Sequence, residues 1–166
     1  MSTMATALGL HAGEGITTAN YAPYYAMFHF IWAHILTSSR ALKQRYGLDH
    51  NVNPREDLAR FGEKAVQDGK ITREQLNRLK RNEAAHANSM ENYPVFLGCI
   101  LFATVSKVPS QTINRVCAIY SIARIVYVVA YLFVGRWKHS WIRSLSWWIG
   151  NFSCIYLFWK SGKALA

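Results

Sequence analysis

Residues 85–105 read AHANSMENYPVFLGCILFATV. The first half carries His86, Asn88, Glu91 and Asn92, and from Val95 onward there is no charge, so polar groups stand at the mouth of an apolar segment. The whole run, 84–106, is about 23 residues, enough for a helix to cross the roughly 30 Å hydrocarbon core of a bilayer. Three further runs have similar length: 21–39 (YAPYYAMFHFIWAHILTSS), 112–134 and 141–159. No basic segment precedes the first, and it is rich in Tyr, Trp and His, so a spanning helix is expected there rather than a signal peptide. With 51% hydrophobic and 14% aromatic residues, the chain is too apolar for an ordinary soluble domain. The fold class expected is all-α: an integral membrane four-helix bundle forming a single domain over 1–166, with a loop at 40–83.

Charge distribution orients the bundle. No Lys or Arg precedes Arg40, eleven lie between Arg40 and Arg81, and all nine acids lie at or before Glu91. The 40–83 loop and the short 135–140 loop, with Arg136 and Lys138, hold 13 of the 19 basic residues, so both are expected to face the cytoplasm and the termini the opposite side. The basic excess therefore reports topology, and no nucleic-acid partner is expected. Cys99, Cys117 and Cys154 fall inside apolar runs without CxxC or metal-ligand spacing and read as buried packing residues.

Helix signals refine the picture. Asn53 is expected to cap a helix with Pro54 at its first position. Thr72 with Gln75 forms a capping box for a second helix. Continued to Ser106, that helix has 34 residues and spans about 51 Å, so its first turns project from the membrane. Pro94 is expected to kink it. Asn88 and Glu91 lie one turn apart on it, with Arg81 two turns earlier. In the third run Tyr120, Arg124, Tyr127 and Tyr131 recur at offsets of 4, 7 and 11, one helical stripe. An intramembrane arginine must face a partner or water. Glu91, about 10 Å deep, and Arg124, about 15 Å deep, are expected to pair. Ser140 is a candidate cap for the fourth helix, placing Arg143 and Ser144 in its first turn, where a helix N-terminus, a guanidinium and a hydroxyl favour an anion. The whole suggests a polar pocket that takes a small charged cytosolic ligand and a lipid-borne partner.

HANSMENYP (86–94), ARIVYVVAYL (123–132) and IRS (142–144) resemble the MAPEG superfamily, membrane-associated proteins of eicosanoid and glutathione metabolism. The likeness is greatest to the microsomal prostaglandin E synthase and glutathione transferase type, and it covers about residues 78–165. The resemblance implies a homotrimer of four-helix protomers, in the endoplasmic reticulum or a bacterial inner membrane, with glutathione bound between subunits facing the cytoplasm. It assigns Asn88, Glu91, Arg124, Tyr127, Tyr131 and Arg40 to glutathione binding, with Arg45 as an alternative to Arg40. It makes Arg143 the stabiliser of the glutathione thiolate and Ser144 its neighbouring hydroxyl. The implied activity is conjugation to lipophilic electrophiles or reduction of lipid hydroperoxides. A prostaglandin-endoperoxide isomerase and a non-catalytic lipid-binding protein are alternatives. The chain departs from the family at Ala84, where arginine is common, and at Ala87 and Tyr127, where the prostaglandin enzyme has arginine and histidine. Arg81 is a candidate to replace the missing charge. A separate alternative is a haem-binding or transport bundle built on His29, His34 or His86. His29 and His34 are five residues apart, which is poor alignment on one helical face.

Overall fold

Thr72 starts the longest helix as its sequence context predicts. The Thr72 hydroxyl accepts from the Gln75 N–H at 3.1 Å, and the Thr72 N–H donates to Gln75 Oε1 at 2.7 Å. The helix then runs unbroken over Arg73–Val105, carrying Pro94 inside it. In the computed structural model, which describes residues 4–7, 9–10, 18–135 and 137–166, this is α5. Arg136, counted above among the loop cations, lies outside the described residues. Before α5 come α1 (Met4–Ala7), α2 (Ala22–Ile31), α3 (Arg40–Arg45) and α4 (Asp57–Gln67); after it come α6 (Ser110–Phe133) and α7 (Trp141–Leu165). Among the described residues there is no strand.

One stripe of α5 serves two cores. Its distal part, Phe96, Cys99, Ile100 and Ala103, meets Ile113, Cys117 and Tyr120 of α6 and Cys154 and Leu157 of α7. These positions repeat every three or four residues, as an interior helix face requires. The Phe96 and Tyr120 rings stack at 4.1 Å, and the His29 ring of α2 stands edge-on to both. All three cysteines are buried free thiols. On α7 the buried face is mostly small (Ser146, Gly150, Ser153, Cys154), which lets helices approach closely in an apolar solvent.

Helices occupy all four ranges read as spans, but among the described residues only α6 is both long and apolar enough to cross a membrane. The first range is shorter than expected. α2 passes into a π-helical turn, Trp32–Leu36, and stops where Thr37 N–H reaches back to Trp32 O and Asn82 Nδ2 donates to Thr37 O at 2.7 Å. These 15 residues reach only about 22 Å, so polar capping at Thr37 and Asn82 overrides the apolar run.

The 40–71 segment folds back on the proximal half of α5. Leu48, Leu58, Ile71, Leu76 and Leu79 form its core, and α4 comes so near that a Cβ at Gly62 would lie 2.7 Å from Leu76 Cδ1. Asn53 does not cap α4. The helix begins at Asp57, four residues later, after a turn in which Glu56 N–H donates to Asn53 O. The shift follows from Lys43, whose buried ammonium takes Pro54 O, Glu83 Oε1 at 3.0 Å and Asp57 Oδ2 at 3.7 Å. Holding Pro54 as an acceptor and Asp57 as a counter-ion keeps 54–56 out of the helix. Nearer the surface, hydrogen bonds from Arg73 and then Lys80 hold the Glu63 carboxyl below the usual carboxylate range. Lys43→Met leaves Asp57 buried with His50 as its one remaining ion-pair partner among the described residues, and we expect it to destabilise the lobe by about 3 kcal/mol. Lys43→Met with Asp57→Asn should recover most of that loss. Thermal unfolding of the detergent-purified protein measures both.

At the other end, the fully buried Asn114 ties the chain's start to α6. Its Nδ2 donates to Gly9 O and Ala19 O, and its Oδ1 accepts from Tyr21 N–H. Arg115 Nε donates to Leu10 O beside it.

Candidate functional site

The stripe on α6 turns inward. Tyr120, Arg124 and Tyr127 are buried and Tyr131 is half-buried, so offsets of 4, 7 and 11 fall on one interior face. Arg124 is 1% exposed and lies where α5, α6 and α7 meet. Its Nη2 donates to Asn88 Oδ1 on α5 at 2.9 Å, and its Cζ stands 4.6 Å from the Tyr127 ring centroid. Its Nη1 is buried with no hydrogen-bond partner. Room for the side chain comes from Gly150 on α7, where a Cβ would lie 3.4 Å from Arg124 Cδ. Asn88 is itself braced by Asn92 one turn on, whose Nδ2 donates to Asn88 O at 3.1 Å.

The start of α7 completes the arrangement. Ser140 precedes the helix as expected, although its side chain makes no cap bond and the helix opens on backbone bonds from Arg143 and Ser144 to Ser140 O. The Arg143 guanidinium carbon stands 4.6 Å from the Tyr131 centroid, and Tyr131 meets Tyr127 edge-on at 5.5 Å. From Asn88 the contacts therefore run Arg124, Tyr127, Tyr131, Arg143, a pair of tyrosines with a cation over the ring of each. A cavity of about 320 Å³ opens beside the outer end, lined by Tyr127, Tyr131, Arg143, Ser144, Trp147 and Trp148. Trp147 was not picked out from sequence; its signal is the spacing of four residues from Arg143.

The expected Glu91–Arg124 pair is absent among the described residues. Glu91 is exposed and faces a second cavity of about 560 Å³ between the end of α2 and α5, which Arg40, Lys43, Arg55 and Ala87 also line. An amide gives the guanidinium one acceptor without burying a carboxylate, whose desolvation costs several kcal/mol. Arg40 is bound by its own loop, with Nε to Asp49 Oδ2 at 3.2 Å and Nη2 to Asn51 Oδ1. Arg45 is exposed on α3, and Ala84 is exposed on α5. Arg81 does not reach the Arg124 cluster: its Nη2 donates to Leu132 O at 3.4 Å, near the end of α6. Within one chain, Tyr127, Tyr131, Arg143 and Ser144 thus line one cavity, with Arg124 and Asn88 behind Tyr127, and Glu91 with Arg40 lines another.

The three histidines point elsewhere. His29 Nε2 lies 2.9 Å from Ser121 Oγ, His34 Nδ1 2.9 Å from Phe30 O, and His86 Nδ1 3.1 Å from Thr37 Oγ1. Each is a contact within or between helices.

Comparison with known families gives one match: the MAPEG family model covers residues 19–163. No curated protein and no solved structure matches the chain.

Proposed function

We propose, because the chain belongs to the MAPEG family, that it is a glutathione-dependent membrane enzyme acting on lipophilic electrophiles or lipid hydroperoxides. The observation that carries this reading is the contact series from Asn88 through Arg124, Tyr127 and Tyr131 to Arg143, ending at a cavity that also holds Ser144. A purely structural arginine finds its full set of acceptors, whereas Arg124 Nη1 is buried without one. The polar set suits an anionic tripeptide: Arg124 and Arg143 for carboxylate or thiolate, Asn88 for an amide, and Glu91, outside any ion pair among the described residues, for an ammonium.

Bound glutathione supplies a thiol, whose ionised form is the nucleophile. Arg143 places a positive charge in the cavity wall and would lower the pKa of a thiol held beside it by about one to three units. Ser144 adds a hydroxyl donor to the same anion. Trp147 and Trp148 add an apolar wall to the cavity, which strengthens that electrostatic effect. Arg124, kept in place by Asn88 and the Tyr127 face, anchors the end of the ligand remote from the chemistry. Glu91 and Arg40 lie apart from Arg143 in a single chain, which favours a site completed between protomers, as in a homotrimer. In this reading the four helices all span the bilayer and the site opens to the cytoplasm.

Ala84 favours a competing reading as a lipid-binding protein without catalysis, because arginine is common there in the family. Titrating glutathione into detergent-purified protein, with ultraviolet detection of thiolate, separates the two. Saturable binding with a thiolate signal at neutral pH, together with turnover of an aryl halide or a lipid hydroperoxide, supports the enzyme. Binding without thiolate rejects the mechanism, and absence of binding leaves the lipid-binding reading.

A further inference from the structure

A groove on the outer face of α6 and α7 is unused by the site above. It encloses about 490 Å³ and is lined by Arg115, Val116 and Ile119 of α6 and Ile149, Phe152 and Tyr156 of α7. The helices are antiparallel, since Arg143 meets Tyr131, Gly150 meets Arg124, and the groove pairs Arg115 with Tyr156. Arg115 therefore marks one end of the groove and Ile149, with Ile119, the other. Phe152 is 58% exposed and Ile119 51%, so this apolar surface lacks a cover.

Charge selects what covers it. Of Arg115, only Nε is bonded, to Leu10 O, and its terminal nitrogens have no partner among the described residues. Lys160, one turn beyond Tyr156, holds its ammonium 5.6 Å from the Tyr156 ring centroid. No acid occurs anywhere in residues 92–166. Arg115 also lies in the second turn of α6, near the positive end of the helix macrodipole. An apolar trough with a cation at its rim that no acid opposes among the described residues matches one acyl chain and an anionic headgroup.

We propose that the groove binds a diacyl phospholipid from the surrounding bilayer, with a chain laid against Ile119, Ile149 and Phe152 and an anionic headgroup held by Arg115 with help from Lys160. From Thr112 to Ile119 the groove follows seven residues of helix, about 10 Å of chain length. The proposal depends on α6 and α7 lying in the membrane and not on glutathione.

The test is native mass spectrometry of the detergent-purified protein, without glutathione, given equimolar dioleoyl phosphatidylglycerol and dioleoyl phosphatidylcholine. We expect wild type to retain the anionic lipid about five-fold over the zwitterionic one. Arg115→Gln should bring the ratio near unity, and Arg115→Lys, which also gives up the present Leu10 contact but keeps the charge, should preserve it. Ile119→Trp, filling the trough from its exposed side, should reduce retention of both lipids. An unchanged preference in Arg115→Gln, or unchanged retention in Ile119→Trp, overturns the proposal. So does full displacement of the lipid by equimolar glycerol phosphate, which would identify an anion site with no use for the groove.

Discussion

Arg143→Ala is expected to remove the thiolate signal of bound glutathione and to leave the fold in place. The two effects separate because the arginine does different things for each. Its structural contact is one cation–π approach to Tyr131 at 4.6 Å on a half-buried side chain, worth about 0.5–1 kcal/mol. Its chemical effect is larger, since a close positive charge lowers a thiol pKa by about one to three units, or ten- to a thousand-fold in the ionisation constant. The sign is fixed: the cation favours the anionic form, so its loss moves the titration midpoint upward, toward about 8.5. At neutral pH the ionised share of the bound thiol then falls from between about a quarter and nearly all to a few per cent, and turnover falls by about eight- to thirty-fold. Arg143→Lys keeps the charge and gives up the flat face that lies on Tyr131, so an intermediate midpoint is expected. The readout is the pH titration of thiolate absorbance in the three proteins, beside their thermal midpoints. Equal midpoints of titration in wild type and Arg143→Ala would remove Arg143 from the chemistry and with it the proposed mechanism.

What the sequence reveals and what it hides follow a physical division. The stripe on α6 is legible because helical periodicity alone puts Tyr120, Arg124, Tyr127 and Tyr131 on one face, and an arginine there can only turn inward. The Thr72 capping box is legible because both partners are three residues apart in the chain. Pairings across helices are not. Charge counting marks Glu91 as the natural partner for Arg124, yet the register of α5 against α6 brings Asn88 to the guanidinium and turns Glu91 to the other cavity. Lys43 looks like one more solvated cation in a basic run; its burial depends on Pro54, Asp57 and Glu83, set by how the loop closes. Gly150 carries no signal at all until Arg124 is seen against it. Arg40 illustrates the same limit, because its contacts with Asp49 and Asn51 are local to a turn in which Asn51 adopts a left-handed φ of 53°. The departures at Ala84 and Ala87 are visible in sequence, and the structure places Ala87 on the wall of the cavity shared by Arg40 and Glu91.

Arg124→Met is expected to abolish glutathione binding while holding or raising thermal stability, and Asn88→Leu to do the reverse to stability. Arg124 is a buried cation with one hydrogen bond, one aromatic face and one nitrogen without a partner. No carboxylate lies within ion-pair distance among the described residues, so little offsets its desolvation. An apolar side chain of similar length removes that cost, and replacements of this kind are neutral or stabilising by about 1–4 kcal/mol. Asn88→Leu instead takes away the one acceptor that Arg124 has among the described residues and leaves the charge buried, which costs about 2–3 kcal/mol and lowers the thermal midpoint by roughly 4–12 °C for a chain of this size. The double variant should return near wild-type stability, because the loss in Asn88→Leu exists only while the cation remains. Saturating glutathione adds a second axis: at a hundred times its dissociation constant it should stabilise wild type by about 2.7 kcal/mol and Arg124→Met not at all. This pattern requires an arginine kept for a ligand at the expense of the empty protein. If Arg124→Met unfolds, and the double variant with it, the guanidinium is holding the three helices together and the anchoring role assigned to it is wrong.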